Sequence, residues 1–451
     1  VTARDLADRA TGWLARTMIG IFFRSLEVAG NDHVPLGGPV IEVANHQNGL
    51  VDAVVLMAAG QRLPHFLGKS TLWKIVPLRP LLALAGVVPV YRGADVAGHL
   101  SDGQRAEHNR TALARSRDVL RAGGVIGVFP EGVSHDLASL QDLRPGAARL
   151  ALEAAEDGVA GVVVLPVGIV YDDKARFRSR VLVRFGAPRT VDGRIGAYRA
   201  DPRAAVADLT AAIGADLRAV GPDFDSIEQA ERLARIAALV ADPASQAEAG
   251  LAEQDRIARA LATAATDPTR RPAVERIERL GRRYETALGH AGLATGDLRS
   301  DALRPGGRRP DSLRPAPRLR LVAVPVTAIG VAVHAVPFAI IKVLGDLPRN
   351  RGMRSTVKLF GSFGLYNLTY VVLATVTGRR RGPVAAVVAL VGAPLSGWVA
   401  LRTLETADEA GLAQRAGAIV ARRRSTVARL ETERQRLAAA VRTVVPAAPV
   451  D

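Results

Sequence analysis

Three long stretches without a charged residue constrain this chain more than any other feature: Leu321–Ile341, Leu359–Gly378 and Pro383–Leu401. Each is near the ~20 residues a helix needs to cross a bilayer core. Three crossings would put the basic loop around Lys342, Arg349, Arg351, Arg354 and Lys358 outside, against the tendency of positive residues to stay inside. The first run also holds Pro325, Pro337 and His334. We therefore expect it to be re-entrant or interfacial, with the other two forming a hairpin closed by Arg379-Arg380-Arg381. The competing reading is three buried helices of a soluble domain.

At 451 residues the chain is too long for one ordinary core. Hydrophobic residues make up 48%, which suits a globular part joined to a membrane part. The net charge of +16 comes almost wholly from arginine, with lysine only at 69, 74, 174, 342 and 358. Part of that basicity reads as the bias of a GC-rich genome, and the remainder favours an anionic partner, above all a phospholipid surface or a phosphorylated substrate. Nucleic acid is excluded as a partner, because aromatics are only 4% and do not interleave with basic clusters. Cysteine is absent, which removes disulfides, thiolate metal sites and cysteine nucleophiles, and fits a reducing cytosolic face.

Composition divides the rest. Residues 1–30 read as an amphipathic helix, with Trp13, Leu14, Met18, Ile19, Phe22 and Phe23 facing either a membrane or the core. Over 31–200, short β-branched runs alternate with helical segments, as in an α/β domain. Its expected strands are Val40–Ala44, Phe66–Lys69, Val87–Tyr91, Val125–Phe129, Val162–Val167 and Val181–Phe185. Residues 201–293 lose the strand pattern and read as an α-helical extension. Prolines at 305, 310, 315 and 317 make 294–320 a linker. Membrane-associated helices follow over 321–403, and 404–451 is a charged C-terminal helix and tail.

The strand at 40–44 runs into Asn45-His46-Gln47-Asn48-Gly49-Leu50-Val51-Asp52. A carboxylate can fix the tautomer of a nearby imidazole and leave its other nitrogen free to take a proton. Three further segments end strands: Gly86-Val-Val-Pro-Val-Tyr-Arg92, Phe129-Pro-Glu-Gly132 and Val164-Leu-Pro-Val-Gly168. Ligands of open α/β sheets gather at strand carboxyl ends, so these segments are expected to converge. No Gly-x-Ser-x-Gly elbow and no dense metal-ligand motif is present, so neither an acyl-serine route nor a metal is expected.

In order and spacing, Asn45-His46…Asp52, Val88-Pro-Val-Tyr-Arg92, Phe129-Pro-Glu-Gly132 and Leu165-Pro-Val-Gly168 resemble the four blocks of the glycerol-phosphate and lysophosphatidate acyltransferase family. Five residues separate His46 from Asp52, where the family usually has four. That longer form, with Gly132-Val-Ser-His-Asp136 and Leu143-Arg-Pro-Gly-Ala-Ala148, is similar to the branch of fungal glycerol-3-phosphate and dihydroxyacetone-phosphate acyltransferases. Val133-Ser134-His135 stands where the family commonly has Thr-Arg-Ser, so an arginine often credited with phosphate binding is missing.

The resemblance implies a mixed sheet flanked by helices, then the helical extension and a C-terminal membrane region. It implies His46 as general base, Asp52 as its orienting partner, Arg92 as a phosphate ligand, and Glu131 with Gly132 in the acceptor pocket. Lys69 and Arg144 are the candidates to replace the missing arginine. The implied reaction moves an acyl group from acyl-CoA or acyl carrier protein to glycerol 3-phosphate or dihydroxyacetone phosphate, without a cofactor. The open alternatives are 1-acylglycerol 3-phosphate as acceptor, and a non-catalytic lipid-binding scaffold. The implied place is a bacterial inner membrane, with the catalytic domain on its cytoplasmic face; the oligomeric state is undetermined.

Overall fold

The computed structural model describes residues 3–91, 101–241, 250–291, 317–348, 351–422 and 424–446. It separates into two compact units, the first made of residues 1–227 with 349–356, the second of 228–348 with 357–451.

The first unit opens with helix α1 (Ala3–Phe22) and edge strand β1 (Ser25–Ala29). Next come β2 (Val40–Ala44), α2 (Leu50–Ala59), β3 (Pro64–Lys69), α3 (Arg79–Leu84), β4 (Val88–Val90), α4 (Asp102–Arg121) and β5 (Val125–Val128). After them come α5 (Gly146–Glu156), β6 (Val163–Tyr171), β7 (Arg180–Phe185), β8 (Arg189–Thr190), α6 (Ile195–Ala200) and α7 (Pro202–Val220). The sheet runs β1-β7-β6-β2-β5-β3-β4, with β8 paired to β6. Strands β6, β2, β5, β3 and β4 are mutually parallel, and β7 and β8 run antiparallel to β6. The sheet is therefore mixed, and helices flank it, as the sequence led us to expect. Central strand β2 is buried along its whole length, so apart from Glu42 its residues are apolar on both faces rather than alternating.

The core on one face joins Ile41, Val43, Ile126 and Val164 of the sheet to Leu150 and Leu152 of α5 and Leu209 and Ile213 of α7. Helix α1 buries Met18, Ile19 and Phe22, packs against α2, and leaves Leu6, Trp13 and Ile21 exposed. Capping by Asp201, whose carboxylate accepts from the N–H groups of Arg203 and Ala204, starts α7.

One charge sits inside the sheet. Glu42 on β2 is buried, and burial pushes its carboxyl from 4.5 up to about 8 despite the opposing pull of Arg62. An acid raised in the fold carries a proton that the unfolded chain releases. Its contribution is therefore complete below pH 4.5 and is lost as pH climbs towards 8. Glu42→Gln, which mimics the protonated acid, should flatten this dependence and stabilise the protein by about 2–4 kcal/mol at pH 8 and above. Thermal midpoints of both proteins across pH 5–9 check it; parallel curves would contradict it.

The remaining helices are α8 (Ile227–Val240), α9 (Leu251–Thr266), α10 (Arg271–Ala291), α11 (Pro317–Asp346), α12 (Arg351–Arg381), α13 (Pro383–Arg422) and α14 (Arg424–Val444), all of the second unit except Ile227 and the first residues of α12, which belong to the first. Helix α14 packs on α9 and α10, burying Leu430, Leu437 and Val441 near Tyr284 and Leu288. Among the described residues three segments are long and apolar enough to cross a membrane: Val324–Asp346, Arg351–Arg381 and Pro383–Ala407. The first, expected from its prolines to be re-entrant or interfacial, is one continuous helix through Pro325 and Pro337. Most of the expected linker, 294–316, lies outside the described residues, and its last residues, Pro317–Arg320, begin α11.

Candidate active site

Register builds the site. Val43 of β2 faces Val128 of the parallel strand β5, so the two chains leave the sheet side by side at its carboxyl edge. Three residues past each partner come His46 and Glu131, and the His46 N–H donates to Glu131 Oε1 at 2.6 Å. Strand β2 then gives way to α2, and Asp52 falls in that helix's first turn. Between them Gly49 takes φ 55°, ψ −131°, a conformation that the Cβ of another residue would oppose. This tight reversal folds the block back so that Asp52 reaches His46 across five intervening residues.

The Asp52 side chain is fully buried. Its Oδ2 lies 2.9 Å from His46 Nδ1 and accepts the Asn48 N–H at 2.7 Å, while its Oδ1 accepts the Tyr171 hydroxyl at 2.6 Å. A carboxylate with two such donors is an acceptor towards its third neighbour, so His46 carries its proton on Nδ1 and presents Nε2 as a base. The imidazole stacks on Phe129, centroids 4.2 Å apart at 15°, and Phe129 stacks in turn on Phe66. His46 is thus fixed at its face, its backbone and one ring nitrogen.

Glu131, which the resemblance implies is in the acceptor pocket, holds the loops around it together. Its carboxylate is buried and turned into the protein, where Oε1 holds the His46 N–H and Oε2 accepts from the Gln141 N–H at 2.8 Å and from His135 Nε2. The Leu137 N–H donates to His135 Nδ1, which leaves the ring proton on Nε2, facing Glu131. Glu131 therefore braces the loop beneath His46.

Gly132 follows with φ 76°, and a Cβ there would lie 3.4 Å from Arg144 Cγ, so Arg144 stands next to this turn. Arg144 is exposed, and its N–H donates to Pro130 O at 2.7 Å. Lys69 ends β3 at the same edge of the sheet. Arg92 lies outside the described residues. Among the described residues no three His, Asp or Glu side chains group as metal ligands would.

Two contributors were not read from the sequence. Tyr171 ends β6, four residues beyond the partner of Ala44. Lys174 lies just past it, and its ammonium donates to Gln47 O at 2.7 Å and His135 O at 3.2 Å and pairs with Asp136 at 2.5 Å. It ties the His46 loop to the Glu131 loop. One signal was available: lysine is scarce in an arginine-rich chain, and a compact point charge with three donors is what this junction uses. Ser355, in the segment that belongs to this unit, is buried and donates to Lys174 O at 2.6 Å.

Residues 25–170 match the family model described as Acyltransferase. The α/β unit is thus an acyltransferase-family domain, and the match takes in all four sequence blocks. Among curated proteins, glycerol-3-phosphate O-acyltransferase 2 of Saccharomyces cerevisiae is 40% identical over 124 residues, covering 26% of this chain and 17% of that protein. Glycerol-3-phosphate O-acyltransferase 1 of the same yeast is 26% identical over 321 residues, covering 52% of this chain and 42% of its own. The chain spans less than half the length of these curated relatives. Among solved structures, the 1-acyl-sn-glycerophosphate acyltransferase PlsC of Thermotoga maritima aligns with a TM-score of 0.35 at 22% identity, over 48% of this chain and 82% of its own.

Proposed function

We propose that the first unit transfers a fatty acyl group from a thioester to a hydroxyl of glycerol 3-phosphate. The observation that carries this reading is the His46–Asp52 pair, held with its Nε2 as the open base at the carboxyl edge of an acyltransferase-family sheet. An alcohol is a weak nucleophile until its proton leaves. In the proposed step His46 Nε2 takes that proton as the hydroxyl oxygen attacks the thioester carbonyl. The tetrahedral centre then collapses with cleavage of the C–S bond, and the proton passes from His46 to the departing thiolate. Asp52 stays ionised and stabilises the imidazolium in between. Exposed Arg144 and half-buried Lys69 supply cations for the acceptor phosphate, and the family resemblance adds Arg92 as a further phosphate ligand.

The names of the two yeast relatives favour glycerol 3-phosphate as acceptor over its 1-acyl derivative. Supplying each acceptor with palmitoyl-CoA and comparing kcat/KM tests this choice. We expect at least a ten-fold preference for glycerol 3-phosphate, as a site that hydrogen-bonds a free hydroxyl discriminates strongly against its absence. A preference for the 1-acyl acceptor would place the enzyme one acylation later.

For the membrane part, the pairing of α14 with α9 and α10 bears on topology. Helices packed on one another share a side of the bilayer, so the chain between Ala291 and Arg424 crosses an even number of times. That supports a net crossing by two of the three apolar segments, among which α11 packs against α13. The reading places the catalytic unit on the cytoplasmic face of a bacterial inner membrane.

A further inference from the structure

The buried Oδ1 of Asp52 needs a partner, and among the described residues its donor is a side chain far away in sequence. Tyr171 lies 119 positions after Asp52, yet its hydroxyl sits 2.6 Å from Asp52 Oδ1. Its position is built rather than incidental. Strand β6 outruns β2 by four residues, and this extension is pinned where the Asn45 side chain accepts from the Ile169 N–H at 2.7 Å and donates to Ile169 O at 3.0 Å. Antiparallel pairing of Tyr171 with Val181 holds the far side. The ring rests against Phe23 at 5.7 Å. Past it, Lys174 O accepts from the Asn48 side chain and from Ser355.

We infer that Tyr171 is a positioning residue that sets the basicity of His46 by donating a hydrogen bond to the outer oxygen of Asp52. The inference rests on the reading of His46 as general base. An ionised carboxylate shared among three donors has less charge to offer each of them. By drawing charge onto Oδ1, Tyr171 weakens the hold of Oδ2 on a protonated imidazole. The protonated form of the imidazole is then held less tightly, which favours the free base the proposed step needs. Burial, and then the charge of Asp52, hold the Tyr171 phenol well above its ordinary range, so it remains a donor wherever the enzyme works. Its role needs no contact with substrate.

The test is the pH profile of kcat/KM for acyl transfer by the full-length protein, comparing wild type with Tyr171→Phe. Phenylalanine keeps the ring contact with Phe23 and removes only the hydroxyl. The acidic limb should move to higher pH by roughly half a unit or more, with kcat about 3–10-fold lower and acceptor KM unchanged. A fluorotyrosine at 171, a stronger donor, should move the limb the opposite way, which guards against a loss of fold in the phenylalanine variant. Limbs that stay in place for both variants would overturn the inference, whatever the change in thermal midpoint. His46→Ala is measured alongside. If it stays active, the general-base reading itself fails; if it is inactive while the Tyr171 limbs do not move, only the positioning role fails.

Discussion

Replacing His46 with alanine should lower the turnover of acyl transfer about 10²–10⁴-fold, the usual worth of a positioned general base. Among the described residues no other imidazole is placed to take over. His135, the neighbouring histidine, has both ring nitrogens engaged, one by Glu131 and one by the Leu137 N–H. The loss should appear in kcat, because the base acts on a proton that moves only in the transition state. Alanine also removes the ring stacked on Phe129, at a cost of about 1–2 kcal/mol in stability. The check is kcat and KM for both substrates together with the thermal midpoint. A folded His46→Ala protein with wild-type turnover would end the proposed mechanism.

The second large effect is expected at Glu131. Two oxygens accept three donors here, in a side chain closed off from solvent. Glutamine keeps the shape but turns an NH2 group towards at least one of those donors, leaving buried groups unsatisfied. Such a mismatch costs about 2–4 kcal/mol, and more where the lost acceptor was charged. Because one donor is the backbone N–H of His46, the base itself should shift. Glu131→Gln should therefore reduce kcat by about 100-fold or more and lower the thermal midpoint, with little change in acceptor KM. A role in the acceptor pocket gives the opposite split: acceptor KM rises and the fold is unaffected. The two readings of this residue are thus separable by one set of saturation curves and one melting curve.

The contrast between Glu131 and Asp52 shows what the sequence could convey. The α/β class was legible because central strands such as Val40–Ala44 and Val125–Val128 are short runs rich in β-branched residues that alternate with helical segments. The family was legible because four blocks kept their order, and the match over 25–170 agrees. Edge strand β1 was not legible: Ser25–Ala29 carries a glutamate at its centre and follows directly on an apolar helix. Nor were Tyr171 and Lys174, whose roles arise from β6 outrunning its partner in the sheet. Spacing along the chain holds no trace of such a contact. Glu131 was visible as a site residue, but the direction of its carboxylate depends on donors at 46, 135 and 141 that only the folded loop brings together.

Acceptor-dependent thiol release most directly tests the central claim. The chain has no cysteine, so a thiol reagent added to the purified protein reports only coenzyme A set free from acyl-CoA. With palmitoyl-CoA and glycerol 3-phosphate, we predict thiol release that requires the acceptor, matches the ester product one to one by mass spectrometry, and disappears in His46→Ala. Release without acceptor, or no release from either acyl-CoA or acyl carrier protein in a folded, membrane-reconstituted sample, would contradict it.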